Sequence, residues 1–145
     1  MACAPKRERK MGARSILVVI VSVWMICQWV TDAGANSFSR TATSGQAKRI
    51  AAYHSWDPVT CKSLAATVNI VSKPAHGVLI PHIVDTTITR SRFGSVGRCA
   101  GTSIKALEID YKSTRGYHGT DTFTLDVIFG WEHRQDKDTY TVTVQ

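Results

Sequence analysis

Three stretches of two-residue alternation restrict this chain to an all-β fold. In residues 105–111 (KALEIDY), Leu107, Ile109 and Tyr111 alternate with Glu108 and Asp110. In residues 121–129, Phe123, Leu125, Val127 and Phe129 share one side, with Thr122, Thr124 and Asp126 on the other. Residues 139–145 repeat the pattern, with Tyr140, Val142 and Val144 between threonines. Successive side chains of a strand point to opposite faces, so each stretch buries one face and wets the other. Residues 67–71 (TVNIV) give a shorter version. Residues 78–84 form an apolar run broken by Pro81, which fits an edge or a bulge because proline donates nothing to a ladder. Residues 86–90 read as another short strand, and residues 50–58, with Tyr53 and Trp56, as a weak first one. No segment beyond the N-terminal 35 residues shows a helical period. Short alternating strands between turn residues predict an antiparallel β-sandwich.

The N-terminus reads differently. Lys6, Arg7, Arg9, Lys10 and Arg14 precede the apolar run of residues 16–27, and Ala33-Gly34-Ala35 follows as a small-x-small site. That order is the secretory signal pattern, and the run is short for a membrane span; retention as an anchor is the alternative. The expected organisation is a signal peptide over 1–35, a flexible Ser/Thr/Gly/Ala-rich leader over 36–49, and a sandwich domain over 50–145. The localisation that follows is periplasmic or secreted, with membrane contact only through the signal peptide during export.

Cysteine usage agrees with export. Cys3 and Cys27 lie in the signal region, leaving Cys61 and Cys99, 38 positions apart. Two cysteines in an oxidising compartment most simply pair. Beyond residue 35 the chain has 13 Lys and Arg against 9 Asp and Glu, a net +4. In an exported chain that balance favours anionic surfaces and does not indicate nucleic acid.

Two turn motifs stand between the strands. The first is Lys73-Pro74-Ala75-His76-Gly77, where proline fixes φ and glycine can reverse the chain. The second runs from Tyr111 through Gly116, Tyr117, Gly119 and Asp121 to Phe123. Asp121 can accept hydrogen bonds from turn N–H groups and tie the corner together. Pro74, His76, Gly77, Tyr111, Gly116, Gly119, Asp121 and Phe123 are therefore expected to be structural. Together the two motifs resemble those of the bacterial Ig-like, cadherin-like domains that occur in tandem in surface and exported proteins. Ser113 stands where that family usually has proline, and this chain carries a single copy. The resemblance covers residues 61–145 and implies a β-sandwich with a structural or adhesive role. Some members of that family bind Ca²⁺, but an oxygen cage needs several ligands close together, and Asp121 stands nearly alone.

No chemistry-bearing constellation accompanies the fold. His54, His76, His82, His118 and His133 have no metal-ligand spacing, so no metal and no cofactor is expected, although scattered histidines leave a periplasmic copper- or zinc-binding protein as the alternative reading. Gly-x-Ser-x-Gly is missing, and Glu108 and Asp110 share one solvated strand face, so no catalytic residue is assigned. The candidate contact surface is the basic segment with Arg90, Arg92, Phe93 and Arg98, which contains no acidic residue between 86 and 107, joined by Trp131. A mobile basic loop with an exposed ring suits an anionic envelope polymer or an acidic protein partner. The expectation is an exported, non-catalytic binding or structural module; a secreted factor directed at a host or competitor would look the same.

Overall fold

The computed structural model describes residues 35–145; the expected signal region up to residue 34, with Cys3 and Cys27, lies outside them. Among the described residues nine strands form: β1 (Ala35–Ala42), β2 (Ala47–Tyr53), β3 (Ser55–Trp56), β4 (Ser63–Leu64), β5 (Thr67–Ser72), β6 (Gly77–Thr87), β7 (Ser103–Ser113), β8 (Gly119–Ile128) and β9 (Gln135–Val144). They assemble into a four-stranded sheet ordered β1-β9-β8-β5, a three-stranded sheet ordered β2-β7-β6, and the small β3-β4 pair. All pairings are antiparallel except β1 with β9, which run parallel from Ala35 opposite Lys137 to Ala42 opposite Val144.

The alternating stretches form the core. Phe123, Leu125 and Val127 from β8 and Tyr140, Val142 and Val144 from β9 meet Ile50, Ala51 and Tyr53 from β2 and Ile109 and Tyr111 from β7. Ring stacking crosses the layers from Tyr111 to Phe123 and continues along the four-stranded sheet from Phe123 to Tyr140 and from Tyr140 to Phe38, at centroid separations of 6.2, 5.3 and 5.0 Å. Each such pair contributes about 0.5–1.5 kcal/mol beyond its area burial.

The flexible leader expected over 36–49 is overturned, and with it a domain beginning at residue 50. Residues 35–42 are an edge strand, and β2 starts at Ala47. The segment escaped the pattern because an edge strand covered on one side needs few apolar residues; Phe38 alone supplies a large one. A turn through Gly45, at φ 72°, joins β1 to β2. Of the separate strand expected over 86–90, Thr86 and Thr87 are instead the end of an eleven-residue β6, and residues 88–90 lie beyond it. Pro81 faces Ile109 from β6, the outer strand of its sheet, where its missing N–H breaks no ladder.

The outer face of β7 is not wholly solvated either. Ile104 and Ala106 are buried. A second small core covers that end, built from Ile88, Cys99 and Ile104 with Trp56, Cys61 and Val96 against it. The Cys61–Cys99 disulfide runs through it.

Gly77 fills a position where no side chain fits. A Cβ there would lie 2.4 Å from Tyr111 Cε2 and 2.8 Å from the Lys112 carbonyl oxygen. Gly77→Ala should therefore destabilise the domain by about 2 kcal/mol through overpacking, read as a lowered urea midpoint at unchanged m-value.

Candidate functional site

The glycine–aspartate corner comes together around one carboxylate. Asp121, at the start of β8, is 2 % exposed. Its Oδ1 accepts from the Ala75 and Thr122 N–H groups at 2.8 and 3.0 Å, and its Oδ2 from His76 N–H and the Tyr111 hydroxyl, both at 2.9 Å. Burial pushes the Asp121 pKa up, but these four donors outweigh it and hold the group below its ordinary value. Gly116 (φ 84°) and Gly119 (φ 145°) carry the chain through conformations that favour glycine. His76 stacks on Tyr117 at 4.1 Å, and the Thr114 N–H donates to the His76 carbonyl. Pro74 opens this turn, and Phe123 begins the inward row of β8. With all its acceptor capacity turned inward on protein donors, the carboxylate ties two turns together.

The open chemistry lies at the other end. A cleft of about 700 Å³ wraps from the β1 and β2 edges onto the outer face of the three-stranded sheet, beneath the segment joining β6 to β7. That volume falls within the roughly 300–1,000 Å³ of ordinary ligand sites. Arg90, Arg92, Phe93 and Trp131 line it, as do Arg40 and Arg49. Arg98 does not: it sits exposed in the 3₁₀ turn Gly97–Cys99.

Arg92 is not the free loop cation that the sequence suggested. Its Nη1 donates to Asp136 Oδ2 and to Asp138 Oδ2, each at 3.0 Å. Its guanidinium carbon lies 5.4, 5.7 and 5.8 Å from the ring centres of Phe38, Tyr53 and Phe129. Asp138 is fully buried and also receives the Asn36 amide at 3.0 Å and the Tyr53 hydroxyl at 2.9 Å. Since Tyr53 donates to the carboxylate, the Tyr140 hydroxyl, 2.8 Å away, donates to Tyr53. Burial works against the Arg92 charge, but hydrogen bonds to Asp138 and Asp136 outweigh it and raise its pKa. Desolvation leads in pushing both tyrosine hydroxyls up, so they remain protonated donors.

The other cleft cations differ in how they are matched. Arg49 pairs with Glu108 at 2.6 Å. Among the described residues, Arg40 donates only to the carbonyls of Ile50 and Ser39, at 3.1 and 2.9 Å, and Arg90 has no carboxylate partner. Aromatic surface is at hand: Trp56 stacks with His54, and Phe93, held edge-on against Phe129, carries Arg134 over its face at 4.3 Å.

Two parts of this site were beyond the sequence reading. Arg40 and Arg49 fell in the segment taken as leader, Tyr53 and Tyr140 were read only as strand residues, and Asp136 and Asp138 carried no motif. The histidines lie apart, with His82 beside Glu108 at 3.6 Å and His118 and His133 exposed. Among the described residues, no three His, Cys, Asp or Glu side chains form a group able to hold a metal ion. Nor is any helix there long and apolar enough to cross a membrane.

The described residues thus form an all-β fold of two facing sheets with one disulfide. No family model matches it, and no curated protein does. Among solved structures, the solution structure of amebosin aligns with 77 % of this chain and 96 % of its own, at 17 % identity and a TM-score of 0.40.

Proposed function

We propose that this protein is an exported, non-catalytic Ig-like module that binds an anionic envelope polymer in the cleft beneath the β6–β7 segment. The observation that carries the reading is a ligand-sized cleft in which, among the described residues, Arg40 and Arg90 have no carboxylate to neutralise them, beside the rings of Trp56, Phe93 and Trp131. Cations on concave surface attract polyanions, and flat rings pack on sugar or polymer faces.

Strand order supports the Ig-like part. β9, β8 and β5 lie together in one sheet and β2, β7 and β6 in the other, the arrangement in which the second, fifth and fourth Ig strands oppose the seventh, sixth and third. The disulfide departs from antibody domains, because it links a surface segment to the 3₁₀ turn and not the two sheets. Export rests on that disulfide together with the basic, apolar and small-residue order of the N-terminus.

Titration with oligogalacturonate, followed by the fluorescence of Trp56 and Trp131, tests the reading. Affinity should fall steeply as salt rises, and Arg90→Glu should weaken binding by roughly tenfold, since it reverses an unmatched cation. Binding that ignores salt, or that prefers poly-glutamate to every acidic polysaccharide, would remove the polymer as ligand.

A further inference from the structure

The Arg92 site has the construction of a receptor with its ligand already in place. Its walls, Phe38, Tyr53 and Phe129, come from β1, β2 and the residue that follows β8, and its floor, Asp138, from β9. None of these belongs to the segment that delivers Arg92. The floor is oriented independently of the arginine, since Asn36 and Tyr53 both donate to Asp138. Three rings within 6 Å of a cation and two carboxylates at hydrogen-bond distance form an aromatic cage for a planar cation. Arg92 reaches it from outside, and its side chain remains 34 % exposed. Two residues further on, Gly94 takes φ 133° with open space where a Cβ would stand, as does Gly97 at φ 50°. The segment delivering Arg92 therefore carries two glycines whose own positions are open, between Phe93 packed on Phe129 and Cys99 in the small core.

We propose that this cage is a guanidinium-binding site whose resident occupant, Arg92, is exchangeable, so that an arginine side chain on an extended segment of a partner protein takes its place. Exchange costs the protein no buried charge: Asp138 trades one guanidinium for another, and Arg92 moves into solvent at the cleft. Arginine is preferred over lysine because a flat cation can face the rings while its N–H groups reach the carboxylates.

The Arg92→Ala variant opens the site, and the probe is the blocked tripeptide Ac-Gly-Arg-Gly-NH₂. The peptide should raise the variant's thermal midpoint saturably, whether that variant starts folded or partly unfolded, because it binds only the native cage. Ac-Gly-Lys-Gly-NH₂ should act more weakly, and the neutral citrulline peptide should not act. Wild-type protein should bind the arginine peptide roughly tenfold or more weakly than the variant, since Arg92 competes from within. In wild-type NMR spectra, the ring-shifted Arg92 Nε–H signal should move towards its free position as peptide is added. A variant whose midpoint ignores the arginine peptide, or responds equally to citrulline, would overturn the proposal, as would a wild-type Arg92 signal that stays fixed at saturating peptide.

Discussion

Asp121→Ala should destabilise the domain by about 3 kcal/mol, because it strands the buried Tyr111 hydroxyl and two turn N–H groups at once. The hydroxyl carries most of the cost, because Tyr111 is 0 % exposed. Ala75 and His76 are exposed residues, so their N–H groups recover part of their loss from solvent. Tyr111→Phe, which removes the donor and keeps the ring, should cost about 1 kcal/mol. The double variant should fall short of the sum, since both changes break the same bond.

The same carboxylate makes stability depend on acid. Its folded pKa lies below the ordinary carboxylate value, so the unfolded chain takes up the proton first as pH falls. The contribution of Asp121 is therefore complete above the unfolded value of about 3.9 and is lost as pH drops through the lower folded value. Urea midpoints measured from about pH 5 to pH 2 should fall less steeply for Asp121→Ala than for the parent. Parallel curves would show that the corner carboxylate does not contribute to acid sensitivity.

The corner was legible because its parts carry local signatures, glycines at reversals and an aspartate one step before an inward aromatic row. Its partner turn at residues 74–77 is equally short in sequence. Asp138 was legible in principle as well. Tyr140, Val142 and Val144 fix the inward parity of β9, and continuing it backwards by two residues puts Asp138 in the core. Its neighbours Arg134, Gln135, Asp136 and Lys137 are all polar, which hides that parity. Arg92 had no such signature. Arg90, Arg92 and Arg98 share one glycine-rich segment, and only the cage formed by β1, β2, β8 and β9 selects which of them turns inward. β1 escaped for the opposite reason, since an edge strand of Ser, Arg and Thr has the composition of a linker.

Cys61 and Cys99 close a loop of 38 positions, and opening it should lower stability by about 4 kcal/mol on the chain-entropy account. The local surroundings favour a loss of that size. Cys99 is fully buried against Ile88 and Ile104, the small core that holds the β6–β7 segment over the outer face of β7. Cys61 is presented by a tight turn in which Asp57 Oδ1 accepts from the Val59 and Thr60 N–H groups and the Asp57 carbonyl accepts from Cys61. Releasing the bond frees both sides of the cleft mouth, where Pro58 and Ser95 stand. The Cys61→Ser/Cys99→Ser variant should thus show a lower urea midpoint together with a larger m-value, because an unfolded chain without the cross-link exposes more surface. The two sheets keep their own core of stacked rings, so near-ultraviolet circular dichroism from Tyr111, Phe123 and Tyr140 should survive in the folded variant while polymer binding in the cleft weakens. A variant with unchanged midpoint would mean that the second small core holds the segment without the bond. One that loses the aromatic signal in the absence of urea would mean that the bond maintains the sandwich itself.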